Sequence, residues 1–186
     1  LHGGIFLNYH PRLEIDCRKI EENSKTVSEM AKKMGIGIAG VTKASCGDPE
    51  VGKAMFNGGA ELIADSRLEN IRRMKRSGLE SDFMLLRTPQ LSRLAETVET
   101  ADISLNSEPE VIRGLSREAK KRGVVHRIVL MAEMGDLREG IRKKDLLPAA
   151  REAERLPGVE LYGIGMKLAC FGGIVPTTEE VAEFED

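Results

Sequence analysis

The chain has 186 residues and a net charge of −2, from 28 Lys and Arg against 30 Asp and Glu. A chain of that length buries most of the surface it exposes when unfolded, so one domain stands without disulfide or metal staples. The balanced charge excludes nucleic acid and anionic membrane as the main partner, and no run reaches the roughly 20 apolar residues that span a bilayer.

Residues 12–16, Arg-Leu-Glu-Ile-Asp, alternate at period two and predict a first strand. Ile20, Val27, Met30, Ala31 and Met34 then recur at helical spacing among Lys and Glu, and Gly35 closes that helix. Residues 36–44 are a near-continuous apolar run containing Gly37 and Gly40, the pattern of a strand buried on both faces of a parallel sheet. Lys43 sits at its end. A helix over 49–57, with Pro49 suited to the first turn, leads to a strand over 61–65 and a helix over 67–77 ended by Gly78. Strand 82–87, helix 90–99, strand 101–106 and a charged helix over 108–122 continue the alternation. Residues 126–134 predict a strand, 144–156 a helix and 159–165 a strand, before Thr177-Thr178-Glu179-Glu180 opens a last helix.

The fold class is therefore α/β. No G-x-G-x-x-G follows a strand, so a doubly wound dinucleotide sheet gives way to a (β/α)8 barrel of TIM type. Such barrels run to about 250 residues, so this one is expected to be incomplete at its C-terminal end. Cys17, Cys46 and Cys170 stand far apart in no metal-ligand spacing, and the opening Leu1-His2-Gly3-Gly4 lacks the regions of a signal peptide. A reduced, cytoplasmic protein with no metal site is the expectation.

Parallel architectures bind ligands at the C-terminal ends of their strands. The residues there are Lys43, Asp65-Ser66-Arg67, Arg87-Thr88, Asn106-Ser107, Glu133 with Asp136 and Arg138, and the glycine-rich stretch 163–173. A lysine closing an apolar strand is partly desolvated, which favours the neutral amine that condenses with carbonyls. The competing reading turns Lys43 out into solvent. His126, beginning a strand, reads as a packing histidine, and His2 and His10 as solvated. Cys46 and Cys170 read as small buried hydrophobes without chemistry.

Four segments carry a resemblance. Val41-Thr42-Lys43-Ala44-Ser45-Cys46-Gly47-Asp48-Pro49, Asp65-Ser66-Arg67-Leu68-Glu69-Asn70, Asp136-Leu137-Arg138-Glu139-Gly140 and Leu168-Ala169-Cys170-Phe171-Gly172-Gly173 together resemble ornithine racemases of the alanine racemase superfamily. The resemblance implies a pyridoxal 5'-phosphate (PLP) enzyme with a barrel of alanine racemase N-terminal type, residues 17–186 here. Segment 1–16, with the first strand, would pair with a C-terminal β-domain, leaving six barrel strands. Lys43 matches the lysine that holds the cofactor as a Schiff base and moves a proton at Cα. Arg138 matches an arginine that helps hold the substrate carboxylate. Asp65 and Asn106 are candidates to line the cofactor pocket or orient Lys43, with helix capping the competing role.

Two positions depart from that family. Cys46-Gly47 stands where alanine racemases carry a phosphate-contacting tyrosine, a difference shared by the ornithine-type relatives, and Lys167 stands where an asparagine is usual. The second proton-transfer group of alanine racemases, a tyrosine from the partner subunit's C-terminal domain, is not matched by Tyr9 or Tyr162. The resemblance thus implies a racemase of ornithine, homodimeric at full length, of which this chain is a fragment inactive alone. The alternatives are a non-catalytic PLP-binding barrel of the homeostasis type and a racemase for another amino acid such as alanine.

Overall fold

A computed structural model describes residues 13–135, 137–167 and 177–185. Among them are six strands: β1 (Ala39–Val41), β2 (Leu62–Asp65), β3 (Phe83–Leu85), β4 (Ile103–Asn106), β5 (His126–Ala132) and β6 (Val159–Met166). The helices are α1 (Cys17–Lys32), α2 (Pro49–Asn57), α3 (Leu68–Arg76), α4 (Leu94–Thr100), α5 (Pro109–Arg122), α6 (Lys143–Ala153) and α7 (Thr178–Glu185).

Every strand pair is parallel and the sheet order is β1-β2-β3-β4-β5-β6. Helices α1 to α6 touch one another in succession, as a single layer. A doubly wound sheet reverses its strand order and carries helices on both faces. This sheet does neither, so it is part of a (β/α) barrel, with the helices outside and the second face turned inward.

Local chemistry sets the element starts. Asp16 accepts hydrogen bonds from the backbone N–H of Arg18 at 3.1 Å and of Lys19, capping α1. Asp48 does the same for α2 through Glu50 and Val51 at 3.0 and 3.2 Å, with Pro49 in the first turn where its missing N–H costs nothing. Between sheet and helices lie two apolar clusters. Ile63, Ile71, Met74, Phe83 and Leu85 seal α3 onto β2 and β3, and Ile112, Leu115, Ile128, Leu130 and Ala153 seal α5 and α6 onto β5. Each of these Ile, Leu, Met and Phe side chains contributes about 1.5–3 kcal/mol.

Three expectations need correction. Residues 13–16 form no strand, and Asp16 is a helix cap instead; Arg12 lies outside the described residues. Residues 36–44 contribute only Ala39–Val41 to the sheet, because the chain turns immediately after Thr42. The apolar positions Val27 and Met30 of α1, and Met34 in the turn beyond it, are exposed rather than buried, because α1 packs against α2 at the end of the helix layer. His2, Tyr9, His10, Asp136 and the Leu168–Gly173 motif with its Cys170 lie outside the described residues.

Candidate active site

Lys43 stands on a short turn between β1 and α2 that is held at both ends. The Thr42 N–H donates to the Ala64 carbonyl at 3.0 Å, extending the β1–β2 ladder by one bond. Lys43–Ser45 then make one 3-10 turn, Cys46 adopts a left-handed conformation at φ 54°, and the Gly47 N–H returns to the Thr42 carbonyl at 3.1 Å. Asp48 opens α2 directly afterwards.

Helix α3 clamps this turn from the side. The Thr42 hydroxyl donates to Asp65 Oδ2 at 2.8 Å, and Asp65 Oδ1 accepts from the Arg67 N–H at 3.0 Å and from Asn70 Nδ2 at 2.9 Å. The Arg73 guanidinium donates to the Cys46 carbonyl at 3.0 Å. Gly47, at φ 67°, lies so close to Asn70 that a Cβ there would fall 2.4 Å from the Asn70 Cβ. Only glycine satisfies both that conformation and that approach.

Alternation along the strands decides which strand-end residues reach the inward face. Asp65 is in register with Leu85, and Asn106 with Leu130; both of those leucines belong to the helix-facing clusters. Asp65 and Asn106 are consequently fully buried on the helix side and do not line the mouth. Ser66 and Leu86, one residue further on, do. A depression of about 530 Å³ at this mouth is lined by Lys43, Ser66, Leu86, Arg87, Thr88, Arg138, Glu139 and Lys167. Lys43 and Arg138, 95 residues apart in sequence, thus face one space. A larger, mainly apolar depression of about 610 Å³ between β6, α6 and α7 holds, among the described residues, Glu133 and the exposed Lys143–Glu183 pair as its charged groups.

The loop that carries Arg138 is fixed by its own ends. The Glu133 carboxylate accepts from the N–H groups of Gly135 at 2.7 Å and Leu137 at 3.1 Å, while Ile141 bonds back to Met131 and Glu133. Lys167 and Glu139 form an ion pair inside the depression. Thr88 and Ser107 join the exits of β3 and β4 through a 3.0 Å hydroxyl contact.

Two readings of the lysine turn change. Lys43 is exposed, not held dry, because β1 is an edge strand of the described sheet and the turn projects beyond it. Cys46 is exposed as well. The sequence reading missed the roles of Thr42, Asn70 and Gly47; the signal available was that Thr42 shares a strand face with Gly40 and not with Lys43.

Asn106 and His126 belong to a buried polar network instead. His126 Nε2 lies 2.8 Å from Ser104 Oγ, and Asn106 Nδ2 donates to the Ser104 carbonyl and hydroxyl at 2.8 and 3.0 Å. Asn106 Oδ1 has no partner among the described residues. Burial lowers the His126 pKa from 6.5 to about 4. The folded chain binds this proton more weakly than the unfolded one, so the contribution to stability is complete above pH 6.5 and is lost as pH falls toward 4. Urea unfolding across that window should show wild type losing about 1.4 kcal/mol more per pH unit than His126→Gln. Equal pH slopes for the two proteins would refute this.

The order of the strands and the lysine turn at the mouth match a known architecture, and residues 15–186 match the family described as alanine racemase, N-terminal domain. The chain belongs to that family. It is 41% identical over 174 residues to a lysine racemase of Thermotoga maritima, covering 92% of this chain and 48% of that protein. It is 33% identical over 178 residues to an ornithine racemase of Acetoanaerobium sticklandii, covering 95% and 50%. Alanine racemase from Streptomyces coelicolor A3(2) superposes with TM-score 0.78 at 21% identity, over 92% of this chain and 48% of that one. The chain thus spans about half the length of the curated relatives it matches. The alanine racemase family consists of PLP-dependent enzymes, and the site's donor set suits that cofactor. A primary amine can condense with its aldehyde, and the surrounding cations can balance its anionic groups.

Proposed function

We propose that the chain forms the lysine-bearing half of a PLP-dependent racemase acting on a diamino acid, ornithine or lysine. The observation that carries the reading is the convergence of Lys43 and Arg138 on one depression at the strand ends. When bound, the cofactor supplies an electron sink that acidifies the substrate Cα–H. Lys43 holds the cofactor through its amine and moves a proton at the substrate Cα. Arg138 takes the α-carboxylate as a planar bidentate partner. Asp65 acts through Thr42, orienting the turn, and Asn106 supports the β4 exit from the helix side. The finer choice of substrate is supported by relatives named lysine racemase and ornithine racemase.

Inversion needs a proton removed on one face of Cα and returned on the other. Tyr162 packs against the Arg127 guanidinium, 5.2 Å from the ring centroid, and does not line the depression. In this reading a second proton-transfer group comes from beyond the described residues, in a homodimer of the full-length protein, and the chain alone is expected to racemise nothing. The test is circular dichroism of L-ornithine, L-lysine and L-alanine incubated with the full-length protein and PLP. Loss of signal fastest for ornithine or lysine is expected. Inversion of alanine alone would overturn the substrate class, and cofactor uptake with no inversion would favour the non-catalytic barrel.

A further inference from the structure

The depression at the barrel mouth has an uneven charge lining. Among the described residues, four cationic side chains, Lys43, Arg87, Arg138 and Lys167, face it with one carboxylate, Glu139. That excess suits a phosphate and an α-carboxylate, but it repels the terminal ammonium of a diamino acid. Such a substrate needs one negative group in the pocket to accept its side chain. Resting on the racemase reading above, we infer that Glu139 is the specificity residue that binds the substrate's terminal ammonium, and that Lys167 occupies the same carboxylate until the substrate arrives.

Three observations support this. First, Glu139 is ion-paired with Lys167, and the two side chains are only 19% and 23% exposed, so the pair is partly withdrawn from water. The group on Glu139 is an alkylammonium, chemically the same as the end of a lysine or ornithine side chain, so the structure already holds the proposed ligand chemistry. Second, Glu139 directly follows Arg138, and their Cα atoms are about 3.8 Å apart. Both side chains line one space. A substrate whose carboxylate rests on Arg138 therefore carries its side chain into the reach of Glu139. Third, the exchange conserves charge: one ammonium leaves the carboxylate as another arrives, and Lys167, at the end of β6, swings its long stem toward solvent. An uncharged side chain drives no such exchange, which makes the pair a filter as well as a ligand.

The experiment uses full-length protein loaded with PLP and two matched pairs of substrates, L-lysine with L-norleucine and L-ornithine with L-norvaline. Within each pair, the members differ in bearing or lacking the terminal ammonium. In Glu139→Gln, kcat/KM for lysine and ornithine should fall about 10- to 100-fold, mainly through KM, while the uncharged pair changes little. In Lys167→Met, which removes the competitor, the apparent affinity for the diamino acids should rise. Titrating the cofactor's absorbance change gives the same ranking without turnover.

Equal losses on charged and uncharged substrates in Glu139→Gln would assign the pair a structural role and overturn the inference. Should that variant not fold, an unchanged or weakened diamino-acid preference in Lys167→Met overturns it instead. A wild-type protein that inverts all four substrates without preferring the charged ones refutes this assignment alone. One that inverts none refutes the racemase reading beneath it.

Discussion

Substituting Lys43 by alanine should abolish covalent attachment of PLP and lower racemase activity of the full-length protein by about 10⁴-fold or more, since in the proposed reaction one side chain supplies both the anchoring amine and a proton-transfer group. The exposure of Lys43 makes this experiment clean. Exposed side chains away from caps and packed contacts change stability by within about 0.5 kcal/mol when replaced, so lost function cannot be ascribed to unfolding. The measurement is absorbance at the edge of the visible range, with and without borohydride trapping. Wild type should show a band and a trapped cofactor, and Lys43→Ala neither. A band that survives and still traps would move the anchoring role to another amine. Lys167 is the other lysine lining the depression, although Glu139 already engages it. Lys43→Arg sharpens the comparison: it keeps the positive charge but cannot condense with an aldehyde.

Much of this architecture was legible in the sequence because its cause is local. Apolar runs such as the one leading to Lys43, and helix signals such as Asp48-Pro49, act over a few residues, so strand and helix positions follow from neighbours in the chain. The reading erred where the cause is not local. Asp65 ends β2 and Lys43 follows β1 by two residues, yet the period of two puts Asp65 toward α3 while the turn after β1 leaves Lys43 at the mouth. Which parity faces inward depends on what the sheet packs against, and no single strand contains that information. Asn106 was misplaced for the same reason. Residues 12–16 alternate as a strand should, but alternation specifies a face and supplies no neighbour; among the described residues 13–16 pair with no strand, and Asp16 caps α1. The Lys167–Glu139 pair was beyond sequence reasoning altogether, because it joins the end of β6 to the loop after β5.

The clamp beneath the lysine turn gives the second large effect. Asp65 is fully buried, and its carboxylate accepts from three donors: the Thr42 hydroxyl, the Arg67 N–H and the Asn70 amide. Asp65→Ala leaves all three without that acceptor, at about 1–3 kcal/mol for each one that stays dry, so a total loss of about 3 kcal/mol or more is expected. Asp65→Asn keeps the shape. Its remaining oxygen can still accept from Arg67 and Asn70, and its new amide can donate to Thr42, whose hydroxyl is free to rotate and already lies 3.4 Å from the Ala64 carbonyl. This variant should lose about 1 kcal/mol. Stability alone would not separate a clamp on Lys43 from an ordinary core residue, so the deciding readout is local. In Asp65→Ala, amide hydrogen exchange should accelerate across residues 43–48, while the β4–β5 amides around Ser104 and His126 stay protected; in Asp65→Asn both regions should remain slow. Thr42→Val breaks the same bond from the other side. If Asp65 acts on the turn through Thr42, the double variant Asp65→Ala with Thr42→Val will cost less than the sum of the two single changes. Strict additivity, or unchanged exchange over 43–48, would confine Asp65 to holding α3 and leave the orientation of Lys43 to Gly47 and Arg73.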